Sequence, residues 1–211
     1  MLKVHPPHHG PHTWRDFFIH IATIVVGLII AIGLEQTVEF FHHRHLVAQA
    51  RETLHEEMTE NQKLIRHNLE TLTQDDARLR HNIAILQQYK DHPSSTQEKL
   101  DPQWEWYGTF SSAWSTARDT GALALMPYAD VQHYSLVYLQ QDIVEQSATS
   151  YIRLHNQAFA PALKNPDLDK LSPADLDKLI DGTTLAIIEE KLLRNLAASL
   201  DRNYTHALSS R

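Results

Sequence analysis

The stretch FFIHIATIVVGLIIAIGLEQ, residues 17–36, decides the fold class and the location of the chain. From Phe17 to Leu34 it carries no formal charge, and His20 is the one ionisable side chain in this run. At a rise of about 1.5 Å per residue, the 18 residues span roughly 27 Å as a helix, close to the thickness of a membrane's hydrocarbon core. A core helix of a soluble protein would carry a polar face, which this stretch lacks. The sequence therefore predicts a transmembrane helix.

Aromatic side chains flank the apolar run, as they do at membrane–water interfaces. Together with small and apolar positions inside the run, they form the predicted membrane-anchor set: Trp14, Phe17, Phe18, Gly27 with its neighbour Leu28, Gly33, Phe40 and Phe41. We assign residues 14–41 as the anchor with its interfacial flanks. The lipid bilayer is therefore the first predicted partner.

A cleaved signal peptide is the alternative interpretation of the same stretch. Ala31-Ile32-Gly33 is an acceptable small-x-small cleavage site. Against cleavage, the preceding segment is long and weakly basic, and the helical pattern continues through Leu34 to Val38 and Phe41. The pattern favours an uncleaved anchor.

The residues that flank the span give only weak evidence for its orientation in the membrane. Lys3 and Arg15 precede it, and Arg44 and Arg51 follow it, so the positive-inside rule gives nearly a tie. A short tail, a span and then a large domain is the usual signal-anchor layout. We expect a single-pass protein of the bacterial inner membrane, with a cytoplasmic N-terminus and a periplasmic C-terminal domain.

Composition excludes several functional classes. The formal net charge is −7, and an acidic domain without a basic stripe is a poor nucleic-acid binder, so no nucleic-acid partner is predicted. The chain has no cysteine, which excludes disulfides, thiolate metal sites and cysteine nucleophiles. Six glycines in 211 residues, with abundant Leu, Ala, Glu and Gln, indicate an all-α protein.

Apolar spacing predicts that the first helix continues to about Tyr89. From Ile65 the apolar residues follow one another at steps of 4, 3, 7, 4 and 3, which form a heptad seam. The polar Asp76 stands where an apolar residue would divide the step of seven. Such a seam must be covered by other helices or by another chain.

Further helices are predicted after the loop at 92–102. The expected segments are 104–120 ending at Gly121, 127–159 opened by Pro127, a short helix capped by Ser172, and 184–208. The predicted architecture is an anchor helix extended into an up-and-down bundle of three to four long helices. The predicted domains are a flexible His/Pro-rich tail at 1–13, the anchor at 14–41 and an acidic helical bundle at 42–211.

Histidines supply the candidate ligand sites. His42 and His45 share a helix face and could bind a divalent metal, although four ligands are usual and an interfacial turn is the simpler interpretation. The tail histidines (His5, His8, His9 and His12) could chelate metal non-specifically. His20 lies inside the apolar run, where it could ligate a pigment or haem, or reach the interface. We predict no bound cofactor and no metal.

Motifs of catalysis are absent from the sequence. It holds no G-x-S-x-G elbow, no P-loop and no G-x-G-x-x-G, and a Glu-x-x-His pair of the di-iron type occurs once, at Glu52 and His55.

The aromatic cluster Trp104, Trp106, Tyr107 and Trp114, with Phe110, is either core packing or a partner-binding surface.

Two stretches carry a resemblance to a known group. The anchor IVVGLIIAIGLEQ leads into a helix with Leu54, Glu57 and Asn61 in the pattern L-x-x-E-x-x-x-N, and a W-x-x-A-x-x-T-G-A-L turn follows from Trp114 to Leu123. This resembles uncharacterised bacterial single-pass membrane proteins of a domain-of-unknown-function group, over residues 17–140. Thr120 stands where that group usually has Ser. The resemblance implies an anchored, extracytoplasmic helical domain and no catalytic activity.

Three functional hypotheses follow. The first is a non-enzymatic, membrane-anchored interaction protein: an accessory or scaffolding subunit of a membrane complex, or a homo-oligomer. The second is an extracytoplasmic helical bundle that senses a small molecule and acts through a partner. The third, an enzyme, would need titratable side chains converging in a cleft, and the sequence places no such set.

Overall fold

The computed structural model describes residues 14–93, 98–165 and 167–209. Within these ranges the chain forms four α-helices and two short 3₁₀ turns: α1 Trp14–Asp91, α2 Ser112–Asp119, α3 Tyr128–Lys164 and α4 Pro173–Ser209, with the turns at Ala122–Leu125 and Leu168–Lys170. The predicted all-α class and extended N-terminal helix are confirmed. The predicted tail at 1–13 lies outside the described residues.

The chain divides into two compact units, residues 1–48 and 49–211. In the first unit, α1 presents its large apolar side chains to the surroundings, from Trp14 at 77% exposure to Phe41 at 63%. Its threonine hydroxyls bond within the helix: Thr23 Oγ1 donates to the Ile19 carbonyl at 2.9 Å, and Thr37 Oγ1 donates to the Gly33 carbonyl at 2.7 Å. These hydroxyls therefore need no partner outside the helix.

The second unit is an up-and-down bundle in which one of the four layers is not a helix. Residues 98–111 have no regular secondary structure and lie along α1 in the opposite direction; we call this segment the strap. α3 then runs parallel to α1, because Glu57 contacts Tyr138 and Asp75 contacts Tyr151. α4 returns antiparallel to both, since Lys90 near the end of α1 contacts Asp177 near the start of α4.

Two heptad positions supply most of the buried face of α1. One is apolar throughout: Met58, Ile65, Leu72, Leu79 and Leu86 are at most 2% exposed. The other holds Leu54, Asn61, Asn68, Asp75, Asn82 and Tyr89. The apolar line confirms one of the two positions of the predicted heptad. The other predicted position, at Leu69, Asp76 and Ile83, is only half-buried, and the buried line lies one residue earlier, at Asn68, Asp75 and Asn82. Asp76 pairs with Arg80. The second line mixes buried polar groups into a coiled-coil pattern.

The structure differs from the predicted helix boundaries at three places. The helix expected at 104–120 begins only at Ser112, because the main chain before it bonds to side chains of α1 and α3. α3 continues through Pro161 to Lys164. α4 includes Gly182, where a Cβ would lie 2.9 Å from Ala158, so this glycine permits close approach of α3 and α4 where the sequence suggested a helix break.

Two predicted helix ends are confirmed. Gly121 has φ of 76° and ends α2 in the left-handed conformation. Ser172 caps α4: its hydroxyl accepts from the Asp175 N–H at 3.2 Å and donates to the Asp175 carboxylate at 2.7 Å.

Candidate functional site

Three buried asparagines of α1 hold the main chain of the strap; we call them the asparagine clamp. Each side chain accepts from the N–H and donates to the C=O of one strap residue, at distances from 2.7 to 2.9 Å. The pairs are Asn61 with Phe110, Asn68 with Tyr107, and Asn82 with Asp101. Because each amide matches a donor and an acceptor, both buried partners are satisfied.

The clamp can recur along α1 because seven residues of helix and three residues of the strap cover nearly the same length. Seven residues of α-helix rise about 10.5 Å, and three residues of extended chain cover about 10 Å. One clamp position per heptad of α1 therefore meets every third strap residue. The position between Asn68 and Asn82 is Asp75, which falls opposite Trp104. Asp75 cannot donate as an ionised carboxylate, and it bonds to Arg78 and Tyr151.

α3 holds the strap from the other side. Gln141 Nε2 donates to the Phe110 carbonyl at 2.9 Å, and Gln141 Oε1 accepts from Asn61 at 3.1 Å and from the Tyr204 hydroxyl at 2.5 Å. Glu145 accepts from the Thr109 N–H at 2.8 Å. α1, the strap, α3 and α4 therefore meet in one hydrogen-bonded network.

The predicted aromatic surface lies on and beside this network. The Trp104 indole donates to Asn156 at 3.2 Å, and the Trp106 indole donates to Glu145 at 3.1 Å. Trp114 stacks on Tyr138 at 5.2 Å between ring centroids. All three tryptophans are half-buried.

Two further aromatics of the strap are exposed. Tyr107 is 44% exposed and Phe110 is 55% exposed. The Tyr107 hydroxyl bonds to Glu105, and its ring lies 5.2 Å from that of His67. If the cluster binds a partner, these two rings offer most of the contact area.

The start of α2 is capped by α1. Glu57 accepts from the Ala113 N–H at 2.8 Å, from the Ser112 hydroxyl at 2.6 Å and from the Tyr138 hydroxyl at 2.8 Å. A carboxylate at a helix N-terminus is favourable because the N–H groups there are unpaired. Burial, reinforced by the hydrogen bond to Glu57, raises the pKa of Tyr138, which stays protonated.

A second buried polar group lies further along the bundle; we call it the acid cluster. Its core is Asp75, Tyr151, His155 and Glu190, each at most 1% exposed. Neither carboxylate oxygen of Glu190 and neither ring nitrogen of His155 has a hydrogen-bond partner among the described residues. Polar groups buried in this way are uncommon in folded proteins.

Burial shifts the proton affinities of this cluster. It raises the pKa of Asp75, against the effect of the neighbouring Arg78, and raises the pKa of Glu190 to about 7. It lowers the pKa of His155 to about 4. Burial therefore favours the neutral form of both His155 and Glu190.

An open cleft of about 460 Å³ lies between α1, α3 and α4; its lining is Arg51, His55, Met58, Ala129, Asp130, His133, Tyr134 and Ala207. Arg51 pairs with Asp130 at 2.6 Å. His133 Nε2 is buried without a hydrogen-bond partner in the described chain, and burial raises the pKa of Tyr134. The cleft combines an apolar floor with a few polar groups, as small-molecule sites do.

The predicted histidine sites lie in the first unit. His20, His42 and His45 are on α1 and are all exposed. The ring centroids of His42 and His43 are 6.3 Å apart. Across residues 14–93, 98–165 and 167–209, no group of three or more His, Cys, Asp or Glu side chains could hold a metal ion. The tail histidines lie outside these residues.

Apolar side chains also remain exposed on the outer surface of α3 and α4; we call this surface the hairpin face. It consists of Leu136, Leu139 and Ile143 on α3 and Leu185, Ile188 and Leu192 on α4, between 44% and 65% exposed. Leu136 lies one turn before Gln140, which bonds to Asn203 of α4. Leu185 lies three residues after Gly182, which packs on α3. Both stripes therefore border the α3–α4 contact, the α3 stripe at the level of Asn203 and the α4 stripe closer to the level of Gly182.

The clamp asparagines and Glu190 are not among the site residues predicted from the sequence. The spacing of Asn61, Asn68 and Asn82 in multiples of seven was the available signal for the clamp. Glu190 lies on the same line as Ala186 and Leu193, which would have indicated burial.

Comparisons with protein-family models, with curated proteins and with solved structures find no match for this chain. The resemblance to the uncharacterised membrane-protein group therefore stays a prediction.

Proposed function

We propose that this protein is a non-enzymatic, membrane-anchored interaction protein, an accessory or scaffolding subunit that binds another protein of the same membrane. The observation that carries the proposal is the distribution of exposed apolar surface. It is concentrated in the anchor segment and on the hairpin face.

The anchor segment supports the membrane part of the proposal. Its most apolar 18-residue window has a mean hydropathy of 2.6, and none of that window is buried within the protein. Exposed apolar surface of this extent is unfavourable in water and favourable in lipid. We place the N-terminus in the cytoplasm and the bundle in the periplasm of the inner membrane, from the signal-anchor layout.

The hairpin face supports the interaction part. It consists of two stripes of three exposed aliphatic side chains each, one on α3 and one on α4. Grouped exposed apolar side chains of this kind often mark interaction sites. A stable interface buries roughly 800 Å² on each partner, so this face alone is small. A partner held in the same membrane can bind through a smaller interface, because shared anchoring raises its effective concentration.

The burial of the acid cluster also favours a binding role over catalysis. Asp75, His155 and Glu190 are sealed inside the bundle. A catalytic set must reach its substrate.

Site-specific photo-crosslinking in native membranes tests the proposal. A photo-activatable phenylalanine at Leu139 should give a heavier adduct, whereas the same residue at Leu163, 66% exposed but off the hairpin face, should not. Leu139→Glu should abolish co-purification of that partner without loss of helicity. Adducts at both positions or at neither would contradict the proposal. An adduct of twice the chain's mass would make the partner a second copy.

A second candidate function is small-molecule sensing through a partner, and the cleft beside Arg51 favours it. Thermal unfolding of the full chain in mild detergent, with a panel of amino acids, carboxylates and amines, would detect a ligand. Stabilisation that disappears in Arg51→Ala would support sensing, and no stabilisation by any compound would count against it.

A further inference from the structure

Glu190 occupies a position in α4 that an apolar side chain would normally take. It is 0% exposed, and its neighbours on the same helix line, Ala186, Leu193 and Ala197, are also 0% exposed. An ionised carboxylate at such a place is strongly disfavoured unless it is paired and hydrogen-bonded. Its environment therefore determines whether it carries a proton.

Charged and titratable groups surround Glu190 from every packed element. Those that act on Glu190 directly are Asp75, Asp76 and Arg80 on α1, Tyr151 on α3 and Arg194 on α4. Their own neighbours form a second layer: Arg78 and Glu105 act on Asp75, Lys191 acts on Asp76, and the His155 ring contacts Tyr151. Two of the four cations pair with other acids: Arg78 pairs with Asp75, and Arg80 pairs with Asp76 at 2.8 Å.

Arg194 is the cation nearest to Glu190. Its Nε lies 3.2 Å from Glu190 Oε1, but without hydrogen-bond geometry, and the Arg194 side chain is 34% exposed. Solvent competes for a guanidinium that is exposed to this degree. Arg194 therefore offsets the burial of a charge at Glu190 only in part, and the carboxyl group binds a proton more tightly than an exposed glutamate does.

We propose that Glu190 is a proton-binding site inside the bundle, and that its occupancy couples the packing of α4 against α1 and α3 to the pH around the domain. With the proton bound, the carboxyl is neutral and fits the apolar line of α4. When the proton leaves, the carboxylate draws toward Arg194 and water, and the middle of α4 loosens. That this pH is the periplasmic pH rests on the proposed function; the proton site itself does not.

The direction of the effect follows from linkage. Glu190 binds its proton more tightly folded, with a pKa of about 7, than in the unfolded chain at 4.5. The folded state is therefore favoured at low pH, and this contribution is lost as pH rises through 7. Opening of this part of α4 should increase on the order of tenfold between pH 6 and pH 8.

Two measurements on the full chain in mild detergent test the proposal. The infrared band of a protonated carboxyl should be present at pH 6, fade with a midpoint near pH 7, and be absent in Glu190→Gln. Hydrogen exchange of residues 186–197, corrected for intrinsic rates, should show the tenfold pH effect in the wild type. In Glu190→Gln it should be flat, and the neighbouring variant Glu189→Gln should behave as the wild type.

Other outcomes would overturn the proposal. A carboxyl band that disappears below pH 5.5, or equal exchange profiles for wild type and Glu190→Gln, would show that Glu190 is an ordinary acid. If Glu190→Gln does not fold, Arg194→Gln serves instead. Removing the nearest cation should raise the midpoint of the carboxyl band, and an unchanged or lower midpoint would contradict the proposal.

Discussion

The asparagine clamp and the acid cluster are two solutions for polar groups on one buried face of α1. Asn68 and Asp75 are one heptad apart and are both at most 1% exposed. Asn68 is neutral and meets a matching donor and acceptor on the strap. Asp75 meets no strap main chain among the described contacts and lies within a cluster in which Glu190 has no hydrogen bond. Satisfied amides can fix a register, whereas incompletely paired acids respond to pH.

The largest effect should come from breaking the clamp. Asn61→Ala leaves the Phe110 N–H without its partner and removes one of the two donors to the Phe110 carbonyl. Leaving buried polar groups unpaired should lower the free energy of unfolding by about 2–4 kcal/mol. Urea unfolding of the full chain in detergent measures it. Asn156→Ala, which removes an exposed bond to Trp104, is the control and should cost less than about 1 kcal/mol. Equal losses would show that the clamp has no special role.

A smaller loss is expected where α3 and α4 approach most closely. Gly182→Ala places a Cβ 2.9 Å from the Ala158 main chain, so the helices must separate. Overpacking of this kind costs roughly 1–3 kcal/mol. Gly108→Ala is the matched control, because its Cβ would lie an ordinary 3.8 Å from Glu145. If thermal unfolding shows both variants to be equally stable, the close contact at Gly182 is not limiting.

The acid side of the pH profile should depend on His155. Burial lowers its pKa from 6.5 to about 4, so the unfolded chain takes up the proton first. Its contribution to stability is present above pH 6.5 and is lost as pH falls toward 4. The loss should reach about 2 kcal/mol at pH 5. His155→Phe should remove it, so the stability difference between wild type and variant should change by that amount from pH 7 to pH 5. A difference independent of pH would exclude this role.

Much of the architecture could be predicted because it depends on apolar periodicity and on local capping. The heptad from Ile65, the left-handed Gly121 and the Ser172 cap follow from residue type and spacing alone. The strap could not be predicted, because its conformation is set by side chains of α1 that are distant in sequence. Residues 104–111 have no strong preference against a helix apart from Gly108.

The candidate sites were less accessible to sequence reasoning. Asparagine and glutamate in a long helix are usually exposed, so residue type alone does not predict that Asn68 and Glu190 are buried. The pair Glu190 and Arg194, four residues apart, also has the spacing of an ordinary surface ion pair. Only the packing of three helices shows that one member of this pair is buried.

The smallest change in stability is expected at Asp75, where the clamp pattern is interrupted. Asp75→Asn places an amide at the clamp position opposite Trp104, where the heptad and the three-residue strap repeat coincide. The variant loses the bond to Arg78 but no longer buries a carboxylate, so the net change in stability should stay within about 1 kcal/mol. A structure of this variant should then show the introduced amide bonded to the N–H and C=O of Trp104. Because one negative charge near Glu190 is gone, the midpoint of the Glu190 carboxyl band should also move to lower pH. If the introduced amide does not bond to Trp104, the match between heptad and strap holds only at the three asparagines. If the midpoint of the Glu190 band does not move, Asp75 and Glu190 titrate independently.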